Sequence, residues 1–340
     1  MKAKKESKLN LKDRVALQDV IPISTPYLLY LDPSSACNFQ CKFCPSGHSN
    51  LVKGANYKRS ILDFNLFKKI IDSLAEFDEP IKVMRMNKIG EPLLNKDIVK
   101  MIKYAKDSGY VKYIDFATNG SLFEQSLMAD LVSVGLDRLN ISIEGVDSAQ
   151  YKNTCNVQID FDDLVDKIKW LYAHRQNCEI TIKIPKNYLS NHDEEKFYKL
   201  FGDCCDKIFV ENLSAIWPEF DMQEYAGIQT AEESQYGQEL KAKDVCTFIF
   251  YSMAINADGT VSACCPDWAQ KLKVGDTKTQ SLKEIWNSTE FNNLRLQHLK
   301  SQRTLNTVCN ACGHIKYCQV DDIDLYKDKL LNKLEQHING

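Results

Sequence analysis

No stretch of the 340-residue chain is apolar enough for long enough to span a bilayer. The lysine-rich start, "MKAKKESKLNLKDRVALQDV", has no apolar segment or cleavage signal behind it, which excludes a secretory signal peptide and leaves a lightly packed arm as the expectation. With no lipidation signal either, the expected location is cytoplasmic. Excess positive charge is missing too. The formal net charge is -3, and no basic stripe runs along the chain, which argues against a nucleic-acid partner. There is no internal sequence repeat. Hydrophobic residues at 44% and charged residues at 26% exclude a dominantly disordered chain.

What the chain does have is cysteine, thirteen of them. Structural disulfides are rare in a reducing compartment, so clustered cysteines read first as metal or redox ligands. Cys37, Cys41 and Cys44 fall within eight positions, in "SACNFQCKFCPSG". Cys246, Cys264, Cys265, Cys309, Cys312 and Cys318 form a second group, with Cys309 and Cys312 paired as C-x2-C. Cys155, Cys178, Cys204 and Cys205 lack metal-like spacing and read as buried thiols behaving as small hydrophobes.

Between residues 26 and 211, short runs of branched residues alternate with amphipathic stretches, as in "YLLYLD", "IKVMRM", "VKYIDFAT", "LDRLNISIEG", "EITIKIP" and "DKIFVEN". About six βα units imply a parallel sheet covered by helices. Polar and glycine-bearing motifs recur just after the strands, where a parallel barrel carries its ligands. Residues 212–245 are aromatic and acidic without periodicity and read as a linker crossing a face of the first domain. From 246 to 320, "TFIFYSMAINADGTVSACC" predicts a hairpin turned at "DGT", followed by one helix over "SLKEIWNSTEFNNLRLQHL" and a cysteine-bearing coil. A C-terminal helix is expected over 321–340.

Three thiolates are one too few for a tetrahedral zinc site. They suit a [4Fe–4S] cube whose fourth iron stays open to an exogenous ligand. The C-x3-C-x2-C spacing, with Phe43 before the last cysteine, resembles that of the radical S-adenosylmethionine (SAM) superfamily. Other motifs extend the resemblance over roughly residues 26–211. "IGEPLL" is similar to the family's GE motif, which implies that Gly90 and Glu91 bind the SAM amino group. "SIEG" resembles the segment that holds the ribose, through Ser142 and Glu144. Asn119 in "ATNG" and Lys183 in "IKIP" would face the same space. The implied fold is a partial (β/α)6 TIM-like barrel followed by a small α+β domain. The implied partner is an external one-electron donor such as flavodoxin or ferredoxin.

The later cysteines resemble the SPASM/twitch extension of that superfamily, where a G-x4-C element (here Gly259 to Cys264) precedes a helix and a C-x2-C-x5-C run. Six cysteines cannot fill eight thiolate positions. One auxiliary [4Fe–4S] cluster on Cys246, Cys264, Cys309 and Cys312 is the economical solution, with a tetrathiolate zinc site as the alternative. Strand alternation would point Cys264 and Cys265 to opposite faces, leaving Cys265 and Cys318 without an assigned role. The resemblance to twitch-type dehydrogenases implies oxidation of a secondary alcohol in an amino sugar, cyclitol or nucleotide-linked sugar. The alternative is modification of a ribosomally made peptide or protein, although the stretch before the first strand is short for a leader-recognition module. Arg85 and Asn87, at the end of the second strand, are the candidate catalytic residues.

Overall fold

The computed structural model describes every residue except 8–13, 56, 230–231 and 340. Nine strands form a single sheet in the order β6-β5-β4-β3-β2-β1-β7-β8-β9. The first six, β1 (Leu28–Leu31), β2 (Ile81–Arg85), β3 (Val111–Thr118), β4 (Arg138–Ser142), β5 (Glu179–Pro185) and β6 (Lys207–Glu211), are parallel neighbours in sequence order. Helices connect them, as right-handed βα crossovers require. This is the parallel sheet expected from the alternation and the partial (β/α)6 barrel that the resemblance implies.

Alternate residues of each strand face opposite sides. One side carries Leu29, Met84, Ile114, Phe116, Leu139, Ile141, Ile180, Ile182 and Ile208, all buried in one core with helix residues such as Phe67, Met101, Leu131 and Ile168. The other side is the lumen, and it is charged. The register aligns Tyr30, Arg85, Asp115, Arg138 and Glu179 across five strands. Arg85 Nε and Nη2 donate to the two Asp115 oxygens at 2.6 and 2.7 Å, Arg138 lies 4.0 Å from Asp115 and also pairs with Glu179, and Lys207 Nζ is 3.1 Å from Glu179. Signs alternate along the row, so the buried Asp115 and the part-buried charges beside it each have an opposite neighbour.

The hairpin following the linker continues this sheet. Its first strand, β7 (Ser252–Ile255), pairs in parallel with β1, and β8 (Thr260–Ser262) and β9 (Lys273–Asp276) add antiparallel. The turn falls at "DGT", with Gly259 at φ 88°, a conformation that suits glycine. Upstream, Phe248–Tyr251 is a helical turn rather than strand. The single helix expected over 281–299 is two, Leu282–Trp286 and Thr289–Leu299. Ser281 closes a capping box on the first, and the Ser288 side chain accepts from Phe291 N to start the second. The expected coil contains two further helical turns, Thr307–Asn310 and His314–Tyr317.

The lysine-rich start is better anchored than its composition suggests. Lys2 N and Ala3 N both donate to Gly202 O at 2.9 Å, Ala3 is buried, and Lys4 bridges Lys207 in parallel. This extended segment covers the outer edge of β6, which would otherwise present unpaired backbone groups. The linker also has local structure. Met222–Ala226 is helical, and Leu213, Phe220, Met222 and Ile228 form a small core against Phe43, Leu51 and Trp217. It thereby packs on the loop carrying the first three cysteines.

Candidate active site

The C-terminal ends of the parallel strands converge on one cavity of about 170 Å³. Cys37, Cys41 and Cys44 line it from the loop after β1. Asn87, Gly90 and Glu91 come from the loop after β2, Asn119 from the end of β3, Ser142 and Glu144 from the end of β4, and Lys183 from β5. Phe43 lines it as well. Arg85 does not: its guanidinium is clamped by Asp115 deeper in the lumen and lies 3.5 Å from Tyr30 Oη.

The GE loop is pinned to the cysteine loop by its backbone. Glu91 N donates to Ala36 O at 2.8 Å, and a Cβ on Gly90 would come within 1.9 Å of Ser34 O, so only glycine fits there. The Glu91 carboxylate accepts three hydrogen bonds. Its Oε1 accepts from Leu93 N (3.0 Å) and Thr118 Oγ1 (2.7 Å), and its Oε2 from Asn119 N (2.9 Å). It ties β2 to β3 at the cavity floor. Asn119 is likewise bound to Asn38 and Ser121. Asn87 Oδ1 accepts from Ala117 N at 2.9 Å.

Glu144 is different. It is buried, and its Oε2 has no hydrogen-bond partner among the described residues. Burial pushes its carboxyl up to about 8, with the nearby Lys183 ammonium working the other way. Burial also works against the Lys183 ammonium, but Glu211 and Glu144 outweigh it and hold the group above its ordinary value. Lys183 pairs with Glu211 Oε1, Gln235 Nε2 donates to Glu211 Oε2 at 2.9 Å, and Cys318 Sγ donates to Gln235 Oε1 at 3.1 Å. The cavity is therefore linked by four side chains to the cysteine-bearing C-terminal segment.

Spacing gives no hint of one participant, Cys155. The helix Ser148–Cys155, capped by the Asp147 side chain on Gln150 N, brings it to the cysteine loop, where Cys41 Sγ donates to Cys155 Sγ at 3.3 Å. Two backbone bonds fix the contact: Gln40 N to Cys155 O and Lys42 N to Thr154 O, both 3.0 Å. Cys155 is buried in the main core, as expected, and there also touches a candidate ligand. Cys178, Cys204 and Cys205 are buried too.

The second group also converges. Cys264 is half-buried beside Cys312, Cys246 and Cys309, and desolvation together with those neighbours pushes its thiol well above the usual range. Burial pushes Cys309 and Cys312 up to about 12. Cys246 N donates to His298 Nδ1 at 3.3 Å, and Arg303 Nη1 donates to Cys309 O. Cys264 and Cys265 lie in the bend after β8, not in the strand, so strand alternation does not separate them. Both pack on the cluster of Tyr30, Phe248 and Ala254.

Residues 31–200 match the radical SAM superfamily, and residues 246–313 match the SPASM iron–sulfur cluster-binding domain. The chain belongs to the radical SAM superfamily. It is 25% identical over 334 residues to the tungsten-containing aldehyde ferredoxin oxidoreductase cofactor-modifying protein of Pyrococcus furiosus, covering 86% of this chain and 90% of that one. Its fold is similar to that of Streptococcus suis SuiB bound to the precursor peptide SuiA (TM-score 0.61, 15% identity, 91% of this chain and 74% of that one). It is also similar to BtrN in complex with AdoMet and 2-DOIA (TM-score 0.57, 17% identity, 88% and 97%).

The residues fit the cofactors that radical SAM membership implies. Burial pushes Cys37 up to about 12, and the hydrogen bond to Cys155 followed by burial holds Cys41 well above the usual range. Buried thiols of this kind ionise when a cationic centre displaces their protons. Among the described residues no three His, Cys, Asp or Glu side chains close on a single ion. A multi-iron cube holds its thiolates further apart than one ion does. The unpartnered Glu144 Oε2 offers an acceptor in the same cavity. When bound, the first cluster supplies the electron that cleaves SAM to a 5′-deoxyadenosyl radical. The protein is a radical SAM enzyme acting on a small-molecule or peptide substrate. Among the described residues no helix is long and apolar enough to cross a membrane.

Proposed function

We propose that this radical SAM enzyme oxidises a residue of a peptide or protein, taking a hydrogen atom from it beside the first cavity. The substrate radical then loses a proton to a base or water, and its electron goes to an auxiliary [4Fe–4S] centre on Cys246, Cys264, Cys309 and Cys312. The observation that carries this reading is the chain Lys183–Glu211–Gln235–Cys318, which joins the two cysteine groups through one lumen. A substrate lying along that chain would meet both centres without leaving shielded space, as radical chemistry requires. Cys37, Cys41 and Cys44 would hold the SAM cluster. Ser142 and Glu144 would hold the ribose, Lys183 and Asn119 would complete the pocket, and Phe43 would cover the cluster. Glu91 accepts three hydrogen bonds from the protein, which position the loop that presents Gly90 and leave a lone pair on Oε2 for the SAM amino group. Asn87 would meet the substrate at the cavity, and Arg85, held on Asp115, would reach only a substrate that extends deeper into the lumen. Reducing equivalents would come from a flavodoxin or ferredoxin.

The peptide reading draws on the fold shared with SuiB bound to its precursor peptide. A second reading, dehydrogenation of a secondary alcohol in an aminocyclitol or sugar, is favoured by the lumen row of Arg85, Asp115, Arg138 and Glu179, which suits a hydroxylated guest. The test is anaerobic turnover with SAM and dithionite against deuterated peptides and deuterated aminocyclitols. Deuterium in 5′-deoxyadenosine from a peptide supports the first reading. Label from cyclitols alone moves the assignment to the second, and label from neither overturns both.

A further inference from the structure

Around the auxiliary cysteines, one contact has a direction that the surrounding bonds determine. Gln319 is buried, and its Oε1 accepts from Thr247 N at 3.1 Å and from Thr247 Oγ1 at 3.0 Å. A backbone N–H can only donate, so this end of the amide must be the oxygen. The NH2 end then faces away from Thr247, and Nε2 lies 2.7 Å from Cys246 Sγ. The main chain is held as well: Lys243 Nζ donates to Gln319 O. The amide is thus fixed at both ends, with an N–H aimed at a sulfur. Gln319 lies beyond the segment that matches the SPASM domain and directly after Cys318.

We propose that Gln319 is a positioning residue that sets the reduction potential of the auxiliary centre. This rests on the reading that Cys246 is a ligand of that centre. An N–H donated to a ligating thiolate draws negative charge from the sulfur. It stabilises the more negative, reduced form over the oxidised one and so raises the potential. A raised potential is what a centre receiving an electron from a substrate radical needs. Gln319 does not line the cavity that Cys37, Cys41 and Cys44 line, so the first centre serves as an internal reference.

The test is an EPR-monitored redox titration of the anaerobically reconstituted full chain, without substrate, comparing wild type with Gln319→Leu. The expected result is a lower midpoint for the auxiliary centre alone. A tenfold change in its reduction equilibrium corresponds to about 59 mV for one electron. Unmodified protein labelled with ¹⁵N in the glutamine side-chain amide provides a second readout that needs no variant: the reduced auxiliary centre should show a ¹⁵N hyperfine coupling. Two centres in wild type with an unchanged midpoint in the variant, or with no ¹⁵N coupling, overturn the assignment of Gln319 and leave the proposed function standing. A single centre in wild type overturns the auxiliary ligand set itself, and this inference with it.

Discussion

The sulfur atoms of Cys41 and Cys155 lie 3.3 Å apart although 114 positions separate them in sequence. The loop that is to bind the first cluster therefore has a fourth thiol at van der Waals distance, held there by two backbone hydrogen bonds.

In protein stripped of iron and exposed to air, that pair is expected to oxidise. The two thiols give up two electrons and two protons to O₂ and form a Cys41–Cys155 disulfide, which removes Cys41 as a ligand. Peptide mapping without reductant should recover this crosslink. Cys155→Ala should abolish it and let air-exposed apoprotein take up iron without prior reduction. Recovery of Cys41 as a free thiol in air-oxidised wild type would contradict the expectation.

Glu144 gives a pH prediction. Burial pushes its carboxyl up to about 8 in the ligand-free protein, against the nearby Lys183 and with Glu211 adding to the rise. At pH 7 it is mostly neutral, and raising the pH through 8 ionises it. A carboxylate accepts two ribose hydroxyls where a neutral acid retains a proton. SAM affinity should therefore rise between pH 7 and 9 in wild type. Glu144→Gln should bind about tenfold more weakly, a loss of about 1.4 kcal/mol, with a flat pH profile. Equilibrium dialysis with labelled SAM measures both.

Asp115 neutralises Arg85 directly and Arg138 at 4.0 Å, from a side chain that is 1% exposed. Asp115→Ala should cost about 3 kcal/mol by leaving the part-buried Arg85 without its carboxylate, while Arg138 keeps Glu179. Replacing the pair, as in Arg85→Met/Asp115→Leu, should restore part of that loss. Urea unfolding midpoints under anaerobic conditions check the order of the three proteins.

Much of this molecule is legible in its sequence, for physical reasons. Strands buried on their helix-facing side and charged on their lumen side still read as branched runs, so all six parallel strands fall where the pattern puts them. Side chains near or just past the C-terminal end of a strand, such as Ser142, Glu144 and Lys183, can be located because a parallel barrel collects strand ends. What depends on long-range packing is not legible. Cys155 sits in "YKNTCN" with no spacing signal, and only the docking of its helix makes it a neighbour of Cys41. Gln319 is one glutamine among many until Thr247 fixes its amide. β9, four residues of "KVGD", is too short to show alternation. Arg85 reads as a strand-end candidate because its one-to-one register with Asp115 is a property of the sheet, not of the chain.

The central claim is that two iron–sulfur centres share one lumen. Counting iron and sulfide per chain after anaerobic reconstitution tests it most directly, in wild type, in Cys37→Ala/Cys41→Ala/Cys44→Ala and in Cys246→Ala/Cys264→Ala/Cys309→Ala/Cys312→Ala. Two cubes predict about eight irons in wild type and about four in each variant. About four irons with one zinc in wild type, the zinc lost only with the second group of cysteines, would contradict it and leave the C-terminal segment without an electron acceptor.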